Sequence, residues 1–99
     1  MHTPEWTEQL YQLVDSLPRH QVTSYGALAK AIGGVGPRQV ARAMGQLPED
    51  TQLPWHRVIR SDGTLAEHAR ADEQESRLLA DGIPVSRNRV HRRHFHRFN

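Results

Sequence analysis

The run Gly33-Gly34-Val35-Gly36-Pro37 limits the fold more than any other stretch. Three glycines and a proline in five residues interrupt two segments that otherwise place apolar residues at helical spacing. Upstream, Tyr25, Leu28, Ala29 and Ile32 share one helical face, and Thr23 or Ser24 can cap that helix. Downstream, Pro37 suits a first helical position, and Val40, Met44 and Leu47 form the inner row of a helix predicted over Pro37 to Leu47. Arg38 lies in its first turn and Arg42 one turn later, so both can face outward on the same side. Two short helices joined by a glycine-rich turn, the second with surface arginines, read as a helix-turn-helix.

The flanking segments read as follows. Thr3 and Pro4 can start a helix with Trp6, Leu10, Leu13, Val14 and Leu17 on its apolar face, and Pro18 stops it. Trp6 and Tyr11 read as packing residues. Gln21 to Ser24 is extended. Trp55 to Arg60 reads as a strand, Ser61-Asp62-Gly63-Thr64 as a turn and Thr64-Leu65-Ala66 as a return, a small wing beside the helix pair. Residues 67–71 have no period and read as a loop. Asp72 with Glu75 resembles a capping box for a last helix carrying Leu78 and Leu79 and ending at Gly82. Residues 1–85 are expected to form one domain and residues 86–99 a basic tail, either docked through Val90, Phe95 and Phe98 or loose.

Ninety-nine residues make one small core. The absence of cysteine excludes disulfides, zinc–thiolate sites and a thiol nucleophile. No apolar run reaches membrane-spanning length, and Met1-His2-Thr3-Pro4 lacks a signal-peptide pattern, so a cytoplasmic location and no membrane partner are expected. The net charge of +2 is uneven: residues 86–99 hold five arginines and no acid, whereas residues 1–85 hold eight basic and eleven acidic residues. Such a tail suits a polyanion or serves only as a solubilising end. His91, His94 and His96 have a spacing that can bind metal, but no acid or thiol accompanies them, so no metal or other cofactor is expected.

The chemistry concentrates in Leu53-Pro54-Trp55-His56-Arg57-Val58-Ile59. Pro54 restricts its own φ and biases Leu53 towards extended backbone, which stiffens the presentation of Trp55. With extended alternation, Trp55 and Arg57 point one way and Pro54, His56 and Val58 the other. An indole is flat and apolar and is no nucleophile, so the stretch reads as a pocket wall.

The ordered set Thr23-Ser24-Tyr25-Gly26, Pro37-Arg38-Gln39-Val40-Ala41-Arg42-Ala43-Met44-Gly45, Leu53 to Ile59 and Leu78-Leu79-Ala80-Asp81-Gly82 resembles the DNA-binding domain of O6-alkylguanine-DNA alkyltransferases over residues 5–85. In that family a proline-cysteine-histidine-arginine-valine motif holds the alkyl-accepting cysteine. Here Trp55 stands in its place, as in the alkyltransferase-like proteins, which bind alkylated guanine without removing the alkyl group. The resemblance implies that Tyr25 crowds the target phosphate and that Arg38 enters the duplex as a finger, from a recognition helix in the minor groove. The small residues Ala41, Ala43 and Gly45 are consistent with close approach. Arg70 matches the loop arginine that contacts the lesion, with His68 the next candidate. His56, a proton relay in the alkyltransferases, is expected to keep a structural hydrogen bond, with Asp81 near the place of its glutamate partner and offset by one residue.

The expectation is therefore an α/β, mostly helical, winged helix-turn-helix domain that is not an enzyme. It would bind double-stranded DNA containing O6-alkylguanine as a monomer and flip the lesion. By resemblance, it would mark the site for nucleotide excision repair proteins. Tyr25, Arg38, Arg42, Trp55 and Arg70 would contact DNA or lesion, and Pro54, His56, Arg57 and Val58 would support the pocket. The rivals are a winged-helix transcription regulator and a base-flipping repair enzyme.

Overall fold

The computed structural model describes residues 5–65 and 70–98. The helix start expected at Thr3 and Pro4, and the candidate His68, lie outside the described residues. Helix α1 spans Glu5–Asp15 and puts Leu10 and Val14 in the core. Strand β1 is Thr23–Ser24 and runs straight into α2, Tyr25–Ile32. Of the two candidate caps, Ser24 does the work: its hydroxyl accepts the Ala27 N–H at 3.0 Å. Helix α3 covers Pro37–Gly45, ending two residues earlier than expected. Gly36 is its N-cap, and the Gly36 N–H donates to Gln39 Oε1 at 2.8 Å, closing the turn.

The strand expected over Trp55 to Arg60 is shorter. Trp55–Arg57 forms a 3-10 turn, and only Val58–Ile59 is strand β2. The cause is Pro54, whose φ of −77° and ψ of 64° place it in an inverse γ-turn, with the Trp55 N–H donating to the Leu53 carbonyl at 2.8 Å. The Arg57 N–H then donates to the Pro54 carbonyl at 3.0 Å. The expected alternation of Trp55 and Arg57 against Pro54, His56 and Val58 does not hold: Trp55 and its neighbour His56 are both buried.

Strand β2 takes β1 as its partner, in parallel, with Thr23 beside Val58 and Ser24 beside Ile59. The wing turn closes with the Arg60 N–H on the Thr64 carbonyl, but Thr64 then bridges to Arg89. Alternation within β2 divides the interior in two. Val58 joins Leu10, Val14, Leu28, Val40 and Ala43, whereas Ile59 joins Val22, Leu65, Leu78, Ile83 and Val90.

Helix α4 is Ala71–Ala80. The capping box expected at Asp72 and Glu75 is absent: Arg70 holds the N-cap position without a side-chain cap, and Asp72 and Glu73 favour the first turn through the helix dipole. The Gly82 stop is present, with φ +79°, the Ile83 N–H on the Leu78 carbonyl and the Gly82 N–H on the Leu79 carbonyl.

The described part of the tail is docked. Val90 is fully buried, and the Val22 N–H and carbonyl bond to His94 and His96 at 2.8 and 2.7 Å. Phe95 packs on the second core and Phe98 on the first. Gly63 lets tail and wing meet, because at φ +90° a Cβ there would lie 2.5 Å from the Val90 carbonyl oxygen. Gly63→Ala is expected to lower stability by about 2–3 kcal/mol, from left-handed backbone and overpacking together. A denaturant midpoint unchanged from wild type would contradict this contact.

Candidate functional site

The small sheet and the γ-turn at Pro54 carry Trp55 to the space between α3 and α4. There the chain leaves a cavity of about 310 Å³, lined by Tyr25, Ala41, Met44, Gly45, Leu47, Trp55, Arg70 and Gln74. This is the lower end of the usual range for small-ligand pockets, roughly 300–1,000 Å³. Ala41 and Gly45 are one turn apart on α3, so that helix shows the cavity almost bare backbone. Ala43, the third small residue singled out in the sequence, faces the core instead.

Trp55 is the floor. Its exposure is 9%, and its ring meets the His56 imidazole edge-on at 6.2 Å. Two cations lie over the indole: the Arg70 guanidinium carbon is 4.1 Å from the ring centroid and that of Arg77 5.6 Å. Glu73 aligns both. It accepts from Arg70 Nε and Nη2 at 3.1 and 3.2 Å, and from Arg77 Nε at 3.0 Å. Those hydrogen bonds, Arg70's first, hold the Glu73 carboxyl below its ordinary range despite some burial cost. The 70, 73, 77 spacing at the start of α4 puts all three side chains on one face.

Behind the floor is a network centred on Asp81. His56 Nε2 lies 2.7 Å from Asp81 Oδ2. A carboxylate only accepts, so Nε2 carries the proton and Nδ1 is the bare nitrogen. Nδ1 is buried without a partner among the described residues. Arg57 Nε donates to the same Oδ2 at 2.9 Å and its Nη1 to the Leu17 carbonyl at 3.3 Å. Burial pushes the Asp81 carboxyl up, but hydrogen bonds from Arg57 and His56 outweigh it and hold the group below its usual value. Burial depresses the His56 imidazole more than Asp81 raises it, with the Arg57 and Arg77 charges adding to the depression. His56 is therefore neutral near pH 7. Gln74, almost fully buried, donates from Nε2 to the His56 and Val58 carbonyls and clamps the backbone that presents Trp55.

The structure thus brings Tyr25, Trp55 and Arg70 to one cavity and keeps Arg38 and Arg42 exposed on α3, outside its lining. Burial holds the Tyr25 phenol above its ordinary value, with the Arg60 charge opposing. Pro54, Arg57 and Val58 are not in the lining; they hold the turn, the Asp81 network and the core. Sequence reasoning missed Met44 and Leu47 as cavity walls, and also Glu73, Gln74 and Arg77. The Glu73/Arg77 pair at i,i+4 was a visible signal, whereas the burial of Gln74 had none. Among the described residues no three metal-binding side chains converge; His96 bonds Gln21 Oε1 at 2.7 Å, and the His91 ring accepts the Arg93 N–H. No helix among them is long and apolar enough to cross a membrane.

The family model described as 6-O-methylguanine DNA methyltransferase, DNA binding domain, matches residues 5–83. A DNA base-flipping protein of Vibrio parahaemolyticus is 41% identical over 80 residues, 79% of this chain and 80% of its own length. Alkyltransferase-like protein 1 of Schizosaccharomyces pombe is 35% identical over 89 residues, 86% of this chain and 82% of that protein. The crystal structure of S. pombe Atl1 with damaged DNA containing O6-carboxymethylguanine superposes with a TM-score of 0.90 at 29% identity, covering 99% of this chain and 100% of that one. The winged helix-turn-helix expectation is met in this likeness. With four α-helices and a two-stranded sheet among the described residues and a matching family model over most of its length, the chain belongs to the family of the 6-O-methylguanine DNA methyltransferase DNA-binding domain, and its relatives include base-flipping and alkyltransferase-like proteins.

Proposed function

We propose that this chain binds double-stranded DNA containing O6-alkylguanine, turns the damaged nucleotide into the Trp55 cavity and holds it there without taking the alkyl group. The observation that carries the reading is the indole floor of that cavity, with the Arg70 guanidinium 4.1 Å above it. A flat ring and a planar cation are surfaces on which a base stacks, worth roughly 1–3 kcal/mol per stacked base. Alkyl transfer needs a nucleophile such as a thiolate, and the chain has no cysteine.

Tyr25, in the cavity lining and at the start of α2, crowds the phosphate of the target nucleotide. Arg38, exposed at the second position of α3, fills the space the nucleotide leaves. Arg42, one turn on, meets the backbone. Pro54, His56, Arg57 and Val58 keep Trp55 in place. Extrusion costs a few kcal/mol, less for a base that pairs badly, which is one source of preference for damage. The held complex is a mark for nucleotide excision repair proteins, and the chain acts in the cytoplasm as a monomer. The relatives named for base flipping, and the solved complex of one relative with alkylated DNA, support this reading.

The test is a competition between two duplexes of identical sequence, one with O6-methylguanine and one undamaged. At least tenfold tighter binding of the damaged duplex is expected. Equal affinity would overturn the reading in favour of a regulator of sequence-specific type. Analysis of the DNA after incubation should return the O6-methylguanine intact; restored guanine or a released base would make the protein an enzyme.

A further inference from the structure

A basic ridge lies outside the cavity. It is built from two turns held side by side, the wing turn Arg60 to Thr64 and a tail turn Ser86 to Arg89. The Val90 N–H donates to the Gly63 carbonyl at 2.8 Å and the Leu65 N–H to the Asn88 carbonyl at 3.0 Å, and Thr64 bridges antiparallel to Arg89. The tail turn is a two-residue hairpin, closed by reciprocal 3.0 Å bonds between Ser86 and Arg89. Arg87 and Asn88 at its tip have φ of +54° and +62°. Asparagine tolerates that region, but arginine is held there against its own preference. Backbone held in this way often marks a functional site.

Arg60, Arg87 and Arg89 are all exposed. The ridge continues into the proposed DNA face: a Cβ on Gly26 would lie 3.0 Å from Ser61 Oγ, and the Arg60 charge acts on Tyr25. Asp62 lies among these cations, near enough for the Arg89 and Arg60 charges to act on it. Its Oδ1 is engaged by the Thr64 N–H at 3.0 Å and the Thr64 hydroxyl at 2.6 Å. The chain outside residues 86–99 is net acidic, so attraction to a polyanion has to come from local cations of this kind.

We infer that the paired wing and tail turns grip the DNA phosphate backbone beside the flipped nucleotide, with Arg60, Arg87 and Arg89 as the cationic contacts. The grip rests on the proposed reading that duplex DNA is the partner. It supplies affinity without telling damaged from undamaged sites, because phosphates carry no lesion.

Three variants of the full chain test it, each titrated with O6-methylguanine and undamaged duplexes over a range of salt. Arg87→Gly combined with Arg89→Gln should weaken binding to both duplexes by about tenfold and flatten the log–log salt slope by about 2, one unit per lost phosphate contact. Glycine accepts the left-handed φ at position 87, so the melting temperature should hold while binding falls. Asp62→Asn keeps the oxygen that Thr64 binds and removes the opposing charge; it should tighten binding to both duplexes severalfold, a gain that misfolding cannot mimic. Arg97→Gln, in the separate groove with Leu13 and Lys30, should change neither affinity nor slope. The inference is overturned if the paired variant and Asp62→Asn both bind as wild type does, or if Arg97→Gln loses as much as the pair. Loss of lesion preference by the wild type would overturn the lesion reading alone, since the ridge is read from the undamaged duplex.

Discussion

Replacing Arg38 with alanine is expected to cut affinity for an O6-methylguanine duplex about thirtyfold, roughly 2 kcal/mol, and to leave the undamaged duplex nearly unaffected. The flipped state leaves a gap in the base stack and an unpaired partner base. Arg38 is the second residue of α3, exposed, on a helix start braced by Pro37 and by the Gly36–Gln39 hydrogen bond. Its guanidinium can stack in the gap and bond the orphaned base, and alanine can do neither. An exposed arginine contributes little to the fold, so the melting temperature should stay near wild type. Arg42→Ala is the contrast: with Arg42 proposed to meet the DNA backbone, its loss should weaken both duplexes equally and lower the salt slope by about 1. An Arg38→Ala protein that still prefers the damaged duplex as wild type does would remove the finger from the mechanism.

The other large effect is on stability. Asp81→Ala should cost about 3 kcal/mol, the low end for stripping one partner from a buried ion pair, because the Asp81 side chain is 13% exposed and its Arg19 contact at 3.6 Å is mostly in solvent. It leaves the Arg57 Nε and the His56 Nε2 proton without their acceptor. Acid should also act in a defined order. His56 has a depressed folded pKa, so the unfolded chain takes its proton first. Its contribution is present above the ordinary histidine value of about 6.5 and is lost as pH falls below it. Asp81, also depressed, contributes above the ordinary carboxylate value and fails at more acid pH. Removing Asp81 takes away the group that raised His56, so the variant should lose more stability than wild type between about pH 7 and 5, and should lack the later acid step. Denaturant titrations at several pH values check both parts; a variant with the wild-type profile would mean that the network does not hold the turn.

Much of the helical frame was readable because it depends on near neighbours. Ser24, Pro37 and Gly82 mark helix ends through bonds made within a few residues, and the apolar rows of α1, α2 and α3 follow from spacing. The misreadings have local causes as well. A γ-turn at Pro54 competes with an extended run through Val58 and Ile59, and β-branched residues alone do not reveal which wins. The box expected at Asp72 was a pattern of residue types that α4 leaves unused by starting at Ala71.

Of the cavity, Trp55 and its motif, and Tyr25 and Arg70 through the family resemblance, could be named from the sequence, and so could the absence of any thiol. What joins them could not. Parallel pairing of β1 with β2 links residues 35 positions apart, Asp81 gathers Arg19 from one segment and His56 and Arg57 from another, and the tail closes on the wing through Gly63 and Val90. Caps, turns and helical rows are settled by bonds a few residues long, so the sequence shows them directly. The cavity, the cations over its floor and the basic ridge depend on which distant surfaces exclude water together, and only the folded chain decides that.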